Sequence, residues 1–251
     1  MTDHLDLSGR YALVTGASRG IGNHIARQLA AAGAHVIAVA RTVGGLEELD
    51  DKIKEVGGEA TLVPLDVTDY DGIDRLGAAL YERFGRLDVL VLNAGSLGTI
   101  TPIHQDKPKT FEEVMAVNVT ANWRMIRSFD PLLRMSDAGR AIGVTSSVAH
   151  KTKPFWGAYS ASKAAFESMM RVWASENLKT NMRMNVVNPG PTHTHMRSRA
   201  MPGEDPAKLQ TAAEAAAKIV PLADPALTRT GEIFDLPTGQ WMKAQMPINS
   251  A

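Results

Sequence analysis

The sequence predicts an α/β chain built on a doubly wound parallel sheet with helices on both faces. Three observations carry that prediction. Short apolar runs alternate with longer helical stretches along the chain, which implies right-handed crossovers between parallel strands. Most runs are apolar along their length rather than at every second position, as strands covered on both faces must be. The first run ends in a glycine-rich turn that opens a helical pattern, the arrangement in which a helix N-terminus can meet a phosphate.

The first strand is Tyr11–Thr15, running into Thr15-Gly16-Ala17-Ser18-Arg19-Gly20-Ile21-Gly22. A helix follows over 20–32, with Ile25, Ala26, Leu29 and Ala30 on its apolar face and Gly33 as its stop. The second strand, His35–Ala40, ends in Arg41-Thr42 and precedes a helix over 45–56. A third strand at 60–65 leads into Asp66-Val67 and a helix over 70–84. A fourth, at 87–92, runs into Asn93-Ala94-Gly95, and a long helix over 110–134 contains Val117-Asn118-Val119. The fifth strand, 141–145, ends in Thr145-Ser146-Ser147 before a helix over 157–178. Arg183–Asn188 ends in Pro189-Gly190, and a last strand occupies 232–235. No repeat, low-complexity tract or composition break marks a linker, so one domain is expected across 1–251.

At 251 residues, with 44% hydrophobic and 22% charged side chains, the composition suits a packed soluble globule. A core of that size needs no disulfides, and the chain has no cysteine to form them, to attack a substrate or to ligate zinc. The opening Met1-Thr2-Asp3-His4-Leu5-Asp6 is acidic and lacks the basic and apolar parts of a signal peptide. No apolar run approaches the ~20 residues that cross a bilayer. A cytoplasmic, membrane-free protein is therefore expected. Its 27 basic and 27 acidic side chains are dispersed, unlike the basic stripe of a nucleic-acid binder, which leaves a small molecule as the expected partner.

Tyr159-Ser160-Ala161-Ser162-Lys163 carries the chemistry. Positions i and i+4 share a helix face, which places the Lys163 ammonium beneath the Tyr159 phenol. A tyrosine titrates near ~10, and a fixed cation beside it favours phenolate and lowers that value. A hydroxyl from Ser146 or Ser147 can hold a carbonyl oxygen while the tyrosine supplies its proton. A surface tyrosine with a solvated lysine would give the same letters, so the pair gains weight only from a second site. That site is the turn at Gly16, Gly20 and Gly22, where free N–H groups and the helix dipole favour a pyrophosphate. Its Gly-x-x-x-Gly-x-Gly spacing differs from Gly-x-Gly-x-x-Gly and lacks the Gly-Lys-Ser/Thr ending of a triphosphate loop; a merely tight connection is the plainer alternative. His193 and His195 stand two apart with no third ligand pattern, so no metal is expected. His4, His24, His35, His104 and His150 have no partner spacing either, and His150 is expected at the surface.

In order along the chain, Thr15-Gly-x3-Gly-x-Gly, Asn93-Ala94-Gly95, Asn118, Ser146, Tyr159-x3-Lys163 and Pro189-Gly190 resemble the short-chain dehydrogenase/reductase family. The resemblance covers nearly the whole chain. Trp156-Gly157-Ala158-Tyr159 and the stretch from Asn188 to Arg197 are similar to a bacterial branch of poorly characterised oxidoreductases. The resemblance implies a single Rossmann-type domain and an NAD(P)-dependent oxidoreductase interconverting a carbonyl and a secondary alcohol. It implies Tyr159 as general acid or base, with Lys163 lowering its pKa and binding the nicotinamide ribose. It also implies a serine polarising the substrate oxygen, and Asn118 holding a water that links Lys163 to solvent. Gly16, Ser18, Gly20, Ile21 and Gly22 would cradle the cofactor, Asn93, Ala94 and Gly95 would flank its adenosine side, and Asp66-Val67 would contact adenine. Pro189, Gly190, Thr192 and Thr194 would meet the nicotinamide and phosphates. The resemblance favours a substrate lid at 192–217, a stretch with Met196, Met201, Pro202, Gly203 and Pro206 and a short helix expected after Leu209. It also implies a homodimer or homotetramer packed through the helices at 110–134 and 157–178.

Two departures stand out. Leu92 replaces the first asparagine of the family's Asn-Asn-Ala-Gly, with Asn93 kept, and two adjacent serines compete for one role. Ser146 stands thirteen residues before Tyr159, the family's usual spacing, and adjacent strand residues point to opposite faces. Ser146 is thus the expected catalytic serine, with Ser147 the alternative. NADP is expected over NAD, because Arg41 stands at the end of the second strand where an acidic residue would bind a free ribose hydroxyl; Arg19 is a second candidate cation. A catalytically silent NADP(H)-binding regulator is the competing function, although binding alone needs no proton relay. A Rossmann-like methyltransferase would leave the tyrosine–lysine pair unexplained.

Overall fold

The computed structural model describes residues 5–243. The acidic opening at 1–4, His4 included, and the ends of the 1–251 domain lie outside the described residues. Strands β1 (Tyr11–Thr15), β2 (His35–Ala40), β3 (Glu59–Pro64), β4 (Val89–Leu92), β5 (Arg140–Val144) and β6 (Arg183–Asn188) alternate with helices α1 (Gly20–Ala31), α2 (Val43–Lys54), α3 (Tyr70–Phe84), α4 (Pro108–Met115), α5 (Ala121–Arg134) and α6 (Gly157–Glu176). After β6 come β7 (Thr192–His193), α7 (His195–Ala200), β8 (Gln210–Thr211), α8 (Ala212–Ile219), β9 (Ile233–Asp235) and β10 (Gln240–Met242). The main sheet runs β10-β9-β6-β5-β4-β1-β2-β3, so the strand order reverses direction between β1 and β4. In open α/β sheets the crevice outside the strand ends at such a reversal is where ligands bind.

The register explains the continuous apolar runs. Val14, Val36, Ala38, Val89, Val91, Ile142 and Val144 point into one core layer with α1, α2 and α8. Their neighbours Leu13, Ile37, Val39, Leu90, Leu92 and Ala141 point into the other, with α3, α5 and α6. Neither face is left to water, so neither set of alternate positions is polar.

Four features depart from the sequence reading. The helix expected over 110–134 is α4 and α5 joined by a π-helical turn, Ala116–Thr120, in which the Ala121 N–H reaches Ala116 O. β10 closes the sheet antiparallel to β9, a short strand of mixed polarity without the apolar run of its parallel neighbours. Within 192–217, β7 and β8 pair in parallel, and α7 precedes the expected helix, which is α8. Finally, α2 starts at Val43 rather than 45, because Gly44 and Gly45 hide its first turn. Gly45 is needed there, since a Cβ would lie 2.9 Å from Ser18 Cβ.

Candidate active site

The end of β1 is stitched to the end of β4. Thr15 Oγ1 donates to Val91 O at 3.2 Å and accepts from Asn93 N at 3.0 Å and Ala94 N at 3.1 Å. Asn93 Nδ2 donates to Thr15 O at 2.9 Å and to Gly16 O at 3.3 Å. Gly16 and Gly20 have φ of 67° and 60°, the left-handed region that glycine tolerates. A Cβ on Gly22 would strike Asn93 Nδ2 and lie 2.5 Å from Gly16 O. Helix α1 then begins at Gly20, with no side-chain cap from Arg19 before it and no acidic residue in its first turn. Its first N–H groups are therefore open to an anion. Ser18 and Ile21 are half-buried in this turn and Arg19 is exposed. Thr15 received no role from the sequence; its signal was its place as the first letter of the glycine motif.

Arg41 and Asp66 meet on the neighbouring rim, 3.6 Å apart, with Arg41 71% exposed. Asp66 Oδ1 accepts from Thr68 N at 2.9 Å and Thr68 Oγ1 at 2.8 Å. Burial alone would raise the Asp66 carboxyl; the Thr68 bonds and Arg41 outweigh it and hold it below its ordinary value. Val67 beside it is buried. On the far side, Asn188 Oδ1 accepts from Ser147 N at 3.0 Å and Gly190 N at 3.1 Å, fixing the Pro189-Gly190 turn. Gln210 Nε2 bonds Pro189 O and, at 3.1 Å, Thr192 Oγ1. Thr194 caps α7 and lies against Gly20, its Cγ2 3.6 Å from where a Cβ would sit. His193 and His195 are exposed.

The candidate proton-transfer groups converge where α6 passes β5. Tyr159 is 8% exposed and lies beside Ser146, which pulls its phenol toward a lower value. Ser146 caps the short 3-10 turn Ser147–Ala149, while Ser147 is held through its backbone to Asn188. Of the two serines, Ser146 is the one that acts on the Tyr159 phenol. Lys163 is 4% exposed; its Nζ donates to Val144 O at 2.8 Å and lies 5.7 Å from the Tyr159 ring centre. Burial pushes the phenol up to about 12 against the pull of Ser146, and burial pushes Lys163 down to about 8 against the pull of Glu167. The expectation that Lys163 lowers the tyrosine pKa is therefore corrected. Desolvation sets the direction of the phenol's shift, and the Lys163 hydrogen bond goes to the Val144 carbonyl. With the phenol neutral at ordinary pH, Tyr159 is poised to donate a proton.

Asn118 is fully buried in the π turn. Its Oδ1 accepts from Ser96 N at 2.7 Å, and its Nδ2 donates to Ser96 O and Ser162 Oγ, each at 2.9 Å. Ser162 Oγ in turn donates to Tyr159 O at 2.8 Å. A Cβ on Gly95 would lie 3.4 Å from Asn118 Oδ1 and 3.7 Å from Lys163 Nζ, so Asn93-Ala94-Gly95 joins the glycine turn to α6. A small apolar cluster of Leu97, Val148, Trp156 and Tyr159 surrounds the tyrosine, and Met196 and Met201 from 192–217 pack against it. Trp156 and Glu167 had no role in the sequence reading. An aromatic and a helical acid at those positions look like core and surface until the fold brings them to Tyr159 and Lys163.

An uncapped helix start, left-handed glycines and a wall with no room for a Cβ make a cradle that fits a pyrophosphate. No helix among the described residues is long and apolar enough to cross a membrane. The sequence pattern of short chain dehydrogenases matches residues 10–205. The uncharacterized oxidoreductase YciK of Escherichia coli is 38% identical over 242 residues, 93% of this chain and 94% of its own. The 2,3-dihydro-2,3-dihydroxybenzoate dehydrogenase of Bacillus subtilis is 34% identical, across 76% of this chain and 73% of its own. A short chain dehydrogenase of Shigella flexneri complexed with NADP superposes with a TM-score of 0.88 at 37% identity, over 92% of this chain and 98% of its own. One from Escherichia coli complexed with NADPH gives 0.86 at 37% identity over the same shares. By sequence pattern, relatives and fold together, this chain belongs to the short-chain dehydrogenase/reductase family.

Proposed function

We propose that this protein is an NAD(P)-dependent oxidoreductase, preferring NADPH, that interconverts a carbonyl and a secondary alcohol with Tyr159 as the proton-transferring group. The observation that carries this reading is buried Tyr159 beside Ser146, with buried Lys163 one turn along the same helix and its Nζ 5.7 Å from the Tyr159 ring centre. The nicotinamide, when bound, supplies the hydride; the chain's own residues bind, orient and protonate. The turn at Gly16, Ser18, Gly20, Ile21 and Gly22, with the start of α1, holds the pyrophosphate. Asn93, Ala94 and Gly95 flank the adenosine side, Asp66 and Val67 the adenine, and Pro189, Gly190, Thr192 and Thr194 the nicotinamide side.

In reduction, Ser146 and Tyr159 together hold the carbonyl oxygen, and Tyr159 donates its proton as negative charge develops there. Lys163 binds the ribose and passes a proton back to the Tyr159 phenolate. Asn118 has both Nδ2 protons committed, and Oδ1 keeps one acceptor site, which is where a water supplying Lys163 would be held. The apolar cluster around Tyr159 supports a substrate whose body is apolar, and Met196 and Met201 packed on it support a lid at 192–217. The unbroken main sheet from β1 to β10 supports a single domain across 1–251. Exposed Trp123 on α5 and Val172 on α6, 46% and 55% accessible, support a homodimer or homotetramer through those helices.

NADPH preference is supported by the cofactors of the two structural relatives and by Arg41 and Arg19 on the rim. Fluorescence titration with each reduced cofactor, followed by a panel of apolar ketones and aldehydes, tests the reading. NADPH should bind more tightly than NADH, and Arg41→Ala should weaken NADPH about 10-fold, the weight of one charge-assisted hydrogen bond, while leaving NADH unchanged. Equal affinities would remove the preference. Binding without turnover on every compound would favour the silent regulator.

A further inference from the structure

Glu167 is a buried carboxylate that the proton transfer at Tyr159 does not use. It lies one helical turn beyond Lys163 on α6, so the two side chains share a face, and they are 1% and 4% exposed. Thr145 Oγ1 donates to Glu167 Oε1 at 2.7 Å, and His150 Nε2 lies 3.0 Å from Oε2. Thr145 directly precedes Ser146, and His150 directly follows the 3-10 turn that Ser146 caps. One carboxylate therefore grips both ends of the segment carrying the two serines and fixes it to the helix carrying Tyr159 and Lys163. His150 was expected at the surface; its side chain is 40% exposed on one side, yet its other side closes this grip.

A buried cation is costly without a partner charge, and the hydrogen bond from Lys163 to the Val144 carbonyl brings a dipole rather than a charge. The groups facing Glu167 are Thr145 from the end of β5, His150 from the 3-10 turn, and Arg171 and Lys163 one turn to either side on α6. Burial raises the Glu167 carboxyl, and all four of these pull it back toward the ionised form.

We propose that Glu167 is a positioning residue of this site: clamped by Thr145 and His150, it is the counter-charge that keeps the Lys163 ammonium protonated beside Tyr159. The proposal rests on Lys163 belonging to the site and needs no particular substrate. Its test is an NMR titration of isotope-labelled lysine side chains, with the Lys163 signal assigned by its loss in Lys163→Arg. In Glu167→Gln, which can still accept from Thr145, the Lys163 titration should move down by about one unit or more, as expected on losing a buried opposite charge one helical turn away. Glu167→Asp, which keeps the charge, should restore most of that shift. Because coupling is reciprocal, the Glu167 carboxyl in Lys163→Met should titrate higher by about the same amount, and this second measurement decides the matter if Glu167→Gln does not fold. A merely structural glutamate would change stability alone. An unmoved Lys163 titration in folded Glu167→Gln, or an unmoved Glu167 in Lys163→Met, would overturn the proposal. Neither titration uses cofactor or substrate, so its failure would leave the oxidoreductase reading standing, and absence of turnover would leave this inference standing.

Discussion

The turn after β1 and the helix α6 lie at the same end of the parallel sheet, yet they meet the demands of burial in opposite ways. Around the turn, the bonds that shape the backbone involve neutral partners. Thr15 and Asn93 satisfy main-chain groups from β1 and β4, and the glycines leave α1 open at its N-terminus. On α6 the interior holds a phenol, an ammonium and a carboxylate within two helical turns, with Tyr159 pushed up to about 12 and Lys163 down to about 8, in both cases chiefly by burial. The first region supplies shape without buried charge. The second concentrates ionisable groups in a poorly hydrated site, where each interaction is strengthened and each missing partner is expensive. Binding and proton transfer should therefore separate cleanly by mutation.

The largest separation is expected on α6. Tyr159→Phe removes the proton and keeps the ring, so turnover should fall by ~10²–10⁴-fold, while the NADPH dissociation constant stays that of the unchanged protein. Similar losses in both would mean that the two regions are one functional unit. Ser146→Ala comes next, with a loss on the order of 10²–10³-fold in turnover, whereas Ser147→Ala should cost little, since Ser147 is anchored by its backbone N–H to Asn188. A crippled Ser147→Ala beside an active Ser146→Ala would reverse the assignment.

In the turn, Gly22→Ala should reverse the pattern. Its Cβ has no space against Asn93 and Gly16, so thermal or urea unfolding should show a loss of about 1–3 kcal/mol, the usual penalty of overpacking, together with weaker NADPH binding. Normal stability and affinity would show that the stitch between β1 and β4 is looser than drawn. The smallest effect is one of pH. If the Lys163 ammonium is the active form, activity is held below about 8 and lost as pH rises through that value, falling about 10-fold for each further unit. Tyr159 stays protonated over that range and adds nothing to the limb. A flat profile through this window would separate Lys163 from the chemistry.

The same contrast governs what could be read from the sequence. The glycine turn was legible because its constraint is local: a left-handed backbone at Gly16 and Gly20 leaves glycines at fixed spacing. β1 and β2 were legible to the residue because strands buried on both faces leave apolar runs, and β6 was legible although Asn185 interrupts its run. The proton-transfer side was legible only in its letters. Tyr159 and Lys163 announced a pair, but the depth of burial that reverses the direction of the tyrosine shift belongs to the tertiary structure. The π turn at Asn118 leaves no mark in a periodicity that reads as one helix, and Glu167 looks like any helical acid until Thr145 and His150 are folded against it. β10 and the β7–β8 ladder were missed because two or three residues of mixed polarity carry no strand signal.

Isotope transfer tests the central claim most directly. The protein is incubated with NADPH carrying deuterium on the hydride-donating carbon and with an apolar ketone taken from the panel, and the product is examined by mass spectrometry and NMR. Hydride transfer assisted by Tyr159 gives an alcohol with one deuterium on its carbinol carbon and a hydroxyl proton from solvent. An alcohol without deuterium at that carbon, or NADPH bound and left unoxidised with every ketone and aldehyde offered, would contradict it.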